Sequence, residues 1–93
     1  MLKHVVMIKV KDGCDANRCH QLVKPLAQNV SGVLSVSCGF DVTKYPSSFD
    51  YCFVLEFADQ ASLLEYESSD YHQLIRNEIH EIRTVSHAVD FYE

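Results

Sequence analysis

The chain has 93 residues, of which 47% are hydrophobic and 11% aromatic, and its formal net charge at pH 7 is −5. This length and composition predict one globular domain over residues 1–93 and not a disordered chain. The acidic balance leaves no basic stripe, so nucleic acid is not an expected partner. A domain of this size buries only about 60–65% of its unfolded surface, so a monomer would be marginally stable.

The apolar segments of the sequence do not indicate a membrane or a secreted protein. The N-terminal apolar run is interrupted by Lys3, Lys9 and Lys11. These lysines come too early for a signal peptide or for a span of ~20 apolar residues. We therefore expect no membrane association and a cytoplasmic location.

The cysteine spacing agrees with a reducing compartment. Four cysteines are present, Cys14, Cys19, Cys38 and Cys52, and none forms a CxxC motif. Without a secretory signal, reduced thiols are favoured. A redox pair of Cys14 and Cys19 is the less favoured alternative.

The first predicted strand covers residues 2–11 and is apolar on both faces in its middle, which is typical of a central strand. A helix is predicted over residues 15–29, with Asp15 as its N-cap. Pro25 lies inside the apolar stripe of this helix. Because proline lacks a backbone N–H, we expect the helix to kink or restart there.

Two further strands follow this helix. Residues 33–43 predict the second strand, in which Gly39 indicates a bulge or a close backbone approach. Residues 49–57 predict the third strand, whose side chains are nearly apolar on both faces. Like the first strand, the third is expected to lie inside the sheet.

Two consecutive helices are predicted after the third strand. Asp59 is expected to cap a short helix over residues 60–67. The polar residues 68–70 then interrupt it and cap the next helix, with Gln73, three residues after Asp70, as a capping-box partner. That next helix has the cleanest amphipathic stripe of the chain. The stripe consists of Tyr71, Leu74, Ile75, Ile79 and Ile82.

A last strand over residues 84–92 completes a β-α-β-β-α-α-β order. Counting the two adjacent helices as one gives βαββαβ, the ferredoxin-like α+β arrangement of a four-stranded antiparallel sheet with helices on one face. The other face would carry the apolar side chains of Val5, Met7, Cys52 and Val54. An exposed apolar patch of this kind normally marks an interface. We therefore expect two sheets to pack face to face in a homodimer.

Three stretches resemble a known family. They are the opening LKHVVMIKVKDG, the run FVLEFADQASLLEY followed six residues later by His72, and the closing VDFYE. Together they resemble the stress-responsive alpha/beta-barrel (Dabb) family over nearly the whole chain. The resemblance implies ferredoxin-like protomers whose sheets pair into a dimeric α+β barrel. Because the family includes plant polyketide cyclases, the resemblance also implies that this protein could catalyse an aldol-type reaction without a cofactor.

The resemblance also implies where a site would lie, in a pocket between helices and sheet. His72 matches the catalytic histidine of those cyclases, and Tyr66 matches its partner tyrosine. His4 matches a pocket histidine on the first strand. The sequence departs from the cyclases at two positions. Their second pocket histidine, on the third strand, falls near Tyr51 here, and their tyrosine on the first helix falls near Pro25 or Leu26.

The residues themselves allow two functions. His72 has helical spacing with Ile75 and Ile79 and should point towards the sheet, where an imidazole can take or give a proton near neutral pH. In an enzyme, His72 would be the general acid/base and Tyr66 would orient or polarise a substrate oxygen. A hydrophobic, oxygenated small molecule would be bound by His4, Ile8, Tyr51 and Phe53. In the alternative, a non-catalytic stress-related or structural homodimer, the same residues fill the core.

The remaining histidines do not predict a metal site. His20, His80 and His87 are interpreted as surface residues, and no pair of histidines has the i, i+4 or HxH spacing that ligation favours. No glycine-rich phosphate loop or serine-nucleophile motif is present. We therefore expect neither a metal nor another cofactor.

Overall fold

Four strands and four helical segments make up the computed structural model, which describes all residues from Met1 to Glu93. In chain order they are β1 (Leu2–Val10), α1 (Asn17–Val23), α2 (Leu26–Asn29), β2 (Ser35–Phe40), β3 (Tyr51–Phe57), α3 (Gln60–Glu67), α4 (Asp70–Ile82) and β4 (Arg83–Tyr92). The predicted order is therefore confirmed, with the first helix in two pieces. None of the helices combines the length and the apolar character needed to cross a bilayer.

The strands form one antiparallel sheet in the order β2-β3-β1-β4. β1 is central: it pairs with β3 from Leu2 opposite Phe57 to Ile8 opposite Tyr51, and with β4 on its other side. This arrangement confirms the ferredoxin-like α+β fold. One face of β1, with His4 and Ile8, is buried beneath the helices, and the other, with Val5 and Met7, belongs to the outer face of the sheet.

The core lies between the helices and one face of the sheet. Alternation along β3 buries Tyr51, Phe53, Leu55 and Phe57, each at most 4% exposed. α4 adds Ile75 and Ile79 to the same cluster. Each such side chain contributes about 1.5–3 kcal/mol when fully buried. This packing holds α4 over the sheet and determines which β1 side chains lie beneath it.

The opposite face of the sheet carries exposed apolar side chains. Met7 is 39% exposed, Val89 56% and Phe91 40%. Val5 lies between Val54 on β3 and Val89 on β4 in the strand register. The apolar second face predicted from the sequence is therefore present on the protomer.

The first helix is interrupted where proline predicts it. α1 ends and α2 begins on either side of Pro25. Asp15 is not the N-cap, as Ala16 occupies that position. The Asp15 carboxylate instead accepts a hydrogen bond of 2.9 Å from the backbone N–H of Asn17, as in a turn that precedes a helix.

β2 is shorter than the predicted strand over residues 33–43, and the interpretation of Gly39 was wrong. Gly39 keeps regular pairing with β3, and a Cβ built there would meet no atom within 4 Å. The irregularity of the sheet lies instead between Lys9 and Val10, where β1 shifts register against β4. A glycine in a strand next to solvent needs neither a bulge nor a close neighbour.

The capping box predicted for α4 was also wrong. Ser69 is the N-cap, and its hydroxyl accepts a hydrogen bond of 3.1 Å from the backbone N–H of His72. Asp70 is the first helical residue. Gln73 donates along the helix to Asn77 at 2.9 Å and does not reach back to the cap. The cap thus fixes the backbone of His72 directly.

Two other features of these helices can be compared with the sequence. Asp59 caps α3 as predicted, because its carboxylate accepts from the backbone N–H of Ser62 at 2.9 Å. In α4 the apolar stripe is confirmed at Ile75 and Ile79, which are buried. The prediction was wrong for Leu74, which is 45% exposed.

Candidate active site

A cavity of about 310 Å³ lies between the sheet and helices α3 and α4. This volume falls at the small end of the range of ligand pockets, roughly 300–1,000 Å³. All strands except β2 contribute to its lining. The lining residues are His4, Val6, Ile8, Phe53, Tyr66, Glu67, His72, Ile75, Arg76, Ile79, Arg83, Ser86 and Ala88.

Most residues singled out from the sequence meet in this cavity. The five that line it are His4, Ile8, Phe53, Tyr66 and His72. They come from β1, β3, α3 and α4. The cavity thus brings together side chains that are far apart along the chain.

His72 and Tyr66 are in direct contact. Their ring centroids are 4.9 Å apart with an edge-to-face angle of 76°. The contact arises because the Ser69 cap turns the chain sharply between α3 and α4, so the end of one helix faces the start of the next. Tyr66 is only 1% exposed. Its ring therefore forms a fixed wall against which the imidazole lies.

Burial shifts the pKa values of the His72 imidazole and the Tyr66 hydroxyl so that both favour their neutral forms. Desolvation lowers the pKa of His72, and the nearby positive charge of Arg76 and the His4 ring lower it further, while Glu67 acts in the opposite direction. Desolvation also raises the pKa of the Tyr66 hydroxyl. At neutral pH His72 is therefore a neutral imidazole that can accept a proton, and Tyr66 is a phenol that can donate a hydrogen bond.

His4 is oriented by a residue that the sequence did not single out. It is 7% exposed, and its Nδ1 is hydrogen-bonded to the Asp90 carboxylate, which lies opposite it in the β1–β4 register. Its ring also packs edge-on against Tyr66, with centroids 6.2 Å apart. Because Asp90 engages Nδ1, Nε2 is the nitrogen left for a ligand. Asp90 belongs to the closing VDFYE, but only the strand pairing identifies its partner.

Tyr51 lies outside the cavity. It is 1% exposed, and its hydroxyl is 2.9 Å from Nδ1 of His20 on α1. Phe40 packs against the His20 ring at 5.1 Å, and Cys38 Sγ lies 3.7 Å from the same Nδ1. His20 is thus half-buried, and its interpretation as a surface residue was wrong. Tyr51 anchors α1 to the sheet at this end.

The other histidines and the cysteines form no further centre. His80 and His87 are exposed, as predicted. No three His, Cys, Asp or Glu side chains cluster in a way that could hold a metal ion. All four cysteines are free thiols, and burial raises the pKa of Cys19 to about 11, which keeps that thiol protonated.

Sequence reasoning missed three charged residues of the cavity. Arg76 lies one helical turn after His72, Arg83 begins β4, and Glu67 ends α3. The i, i+4 spacing of His72 and Arg76 was the signal that could have indicated one of them. Arg83 could not be found this way, because its place depends on how β4 follows α4.

A family model described as the stress responsive A/B barrel domain (Dabb) matches residues 2–93. The chain belongs to the Dabb family. No curated protein is significantly similar to this Dabb chain in sequence.

Solved structures share the fold of this Dabb protein at low identity. A dimeric ferredoxin-like protein of unknown function from Bacteroides fragilis is 16% identical, with a TM-score of 0.86 over 99% of this chain and 95% of that one. A similar dimeric protein from Thermobifida fusca is 15% identical, with a TM-score of 0.82 over 99% and 90%. The hydroxynitrile lyase from Passiflora edulis is 13% identical, with a TM-score of 0.82 over 97% and 90%. At these identities the comparison establishes the fold alone.

Proposed function

We propose that this protein binds a hydrophobic, oxygenated small molecule and catalyses a cofactor-independent proton transfer on it, in an enolisation or aldol-type reaction. The observation that carries the proposal is the meeting of His72, Tyr66 and His4 in one cavity. A histidine held neutral, a protonated phenol and an oriented second imidazole are the groups that such a reaction needs.

The steps follow from the protonation states of these groups. His72 accepts a proton from the carbon next to a substrate carbonyl, and the electron pair of the C–H bond moves to give an enolate. Tyr66 donates a hydrogen bond to the enolate oxygen. Nε2 of His4 donates a second one only when the ring is protonated and paired with Asp90, because in the neutral ring the proton is on Nδ1. In an aldol reaction the enolate carbon then attacks a second carbonyl, and the new alkoxide receives the proton from His72.

The open cavity also favours this proposal over a purely structural role. In a non-catalytic protein the space between helices and sheet should be filled, because protein interiors pack at high density. Here the space is open and has polar groups on its lining. The Passiflora edulis hydroxynitrile lyase is an enzyme with the same fold. It supports catalysis on this fold in general and lends this chain no substrate.

We infer further that the protein acts as a homodimer. The exposed apolar face of the sheet would be covered by the same face of a second copy, as an isologous interface. The dimeric proteins from Bacteroides fragilis and Thermobifida fusca support this assembly. Because the cavity lies on the helix side of the sheet, the interface would leave it accessible.

Deuterium exchange into a long-chain methyl ketone tests the catalytic proposal. The wild type should accelerate exchange at the α-carbon in D₂O, as measured by NMR. In His72→Gln the exchange rate should fall about 10²–10⁴-fold, since glutamine can hydrogen-bond but cannot accept the proton. The matched control is Glu81→Gln, an exposed position on the same helix, which should exchange at the wild-type rate. Equal rates for wild type and His72→Gln would refute the role of His72.

A further inference from the structure

The cavity is apolar in its interior and carries two arginines. Its interior is formed by Val6, Ile8, Phe53, Ile75 and Ile79. Both arginines line the cavity and still reach solvent, since Arg76 is exposed and Arg83 is half-buried. A ligand that fills this space would therefore meet hydrocarbon at one end and positive charge at the other.

Neither arginine is neutralised by the chain. The ion pairs of the protein are Lys3–Glu93 and Arg18–Glu78, and the Asp90 carboxylate is hydrogen-bonded to His4. Arg83 has one long contact, 3.4 Å from its Nη2 to Nδ1 of His80, and no carboxylate partner. Arg76 forms no ion pair. Guanidinium groups match carboxylates in a planar, two-bond geometry, so two free ones beside a cavity favour an anionic ligand.

The local charge opposes the charge of the whole molecule. The chain has 13 acidic and 8 basic Lys or Arg residues. In the cavity lining the balance is reversed, with Arg76 and Arg83 against the single acid Glu67. A locally positive region of this kind raises the concentration of anions at the cavity.

We propose that the ligand of this cavity is an amphiphilic oxo-carboxylate, with its apolar part among the interior side chains and its carboxylate between Arg76 and Arg83. This inference rests on the proposed function, because it assigns a substrate class to the same cavity. Arg76 lies four residues after His72 on α4, about 6 Å along the helix axis. A carboxylate held by Arg76 thus places a carbonyl a few bonds away beside the imidazole and the Tyr66 ring.

Three probes with the same chain and different head groups test the charge preference: octanoate, octanol and octylamine. Isothermal titration at neutral pH should show octanoate binding tightest and the octylammonium ion weakest. Arg76→Gln should weaken octanoate about tenfold, or about 1.4 kcal/mol, and leave octanol unchanged. Arg83→Gln should also weaken the binding of octanoate, and Glu67→Gln should strengthen it. The matched control is Arg18→Gln, whose arginine pairs with Glu78 away from the cavity.

The outcomes separate this inference from the catalytic proposal. The carboxylate assignment would be overturned by any of three results. Octanol and octanoate could bind equally, octanoate could fail to bind, or Arg76→Gln could lose the same affinity for all three probes. If the charge preference holds while the wild type exchanges no ketone proton, the catalytic proposal fails and the ligand class stands. If ketone exchange depends on His72 but the cavity shows no preference for anions, the carboxylate assignment fails and the catalytic proposal stands.

Discussion

Val54→Asp tests the homodimer through the apolar face of the sheet. Val54 lies at the centre of that face, with Val5 beside it on β1 and Ser37 on β2. It is half-buried in the protomer, so water still reaches an aspartate there before association. In a face-to-face dimer the carboxylate would lose that water and gain no partner.

The expected cost follows from this change of environment. A buried charge without a partner costs about 3–5 kcal/mol, and each dimer would contain two such charges. Sedimentation velocity should therefore show a monomer at concentrations where the wild type is a dimer, while circular dichroism still shows a folded chain. The matched control is Val42→Asp in the exposed loop after β2, where the valine is 86% exposed. This control should remain dimeric.

The reasoning would be refuted by a Val54→Asp dimer as stable as the wild type. That result would mean that the outer face of the sheet is not the interface and that water reaches it in the assembly. Unfolding of the variant at all concentrations would instead mean that the protomer depends on the dimer for its stability. The unfolding midpoint of the wild type would then rise with protein concentration.

Two further substitutions test the support of the site. Ser69→Ala should lower the free energy of unfolding by about 1 kcal/mol in urea titrations, because the cap of α4 is lost. Ser69→Thr keeps a hydroxyl at the cap and should be as stable as the wild type. Equal stability of all three proteins would contradict the capping role. Asp90→Asn should reduce ketone exchange between about tenfold and a hundredfold with little change in stability, since the His4 ring loses its charged partner and the Asp90 side chain is 41% exposed. An unchanged exchange rate would show that the orientation of His4 does not matter.

The fold could be predicted because local patterns and the overall arrangement agree. β1 is apolar on both faces, and only a central strand satisfies that pattern. Pro25 breaks the first helix because its missing N–H cannot be compensated inside a helix. Capping was harder to predict: Ser69 and Asp70 are both good caps by type, and the direction of the chain leaving α3 decides between them.

The site could be predicted only where sequence spacing fixes the geometry. His72 and Tyr66 meet because one cap separates two helix ends. Tyr51 and Phe53 share a face of β3, yet they are about 6.8 Å apart along it, so one is covered by α1 and the other borders the cavity. Asp90 could not be assigned to His4, because its place depends on pairing between the first and last strands.

The pH dependence of ketone exchange tests the central claim most directly. Protonated His72 cannot accept a proton, so kcat/KM should fall as pH decreases through the pKa of His72. Because burial lowers that pKa from 6.5, the account predicts a constant rate near neutral pH and an acidic limb with its midpoint below 6.5. The limb should be absent from the residual rate of His72→Gln. A rate without an acidic limb, or the same limb in His72→Gln, would contradict proton transfer by His72.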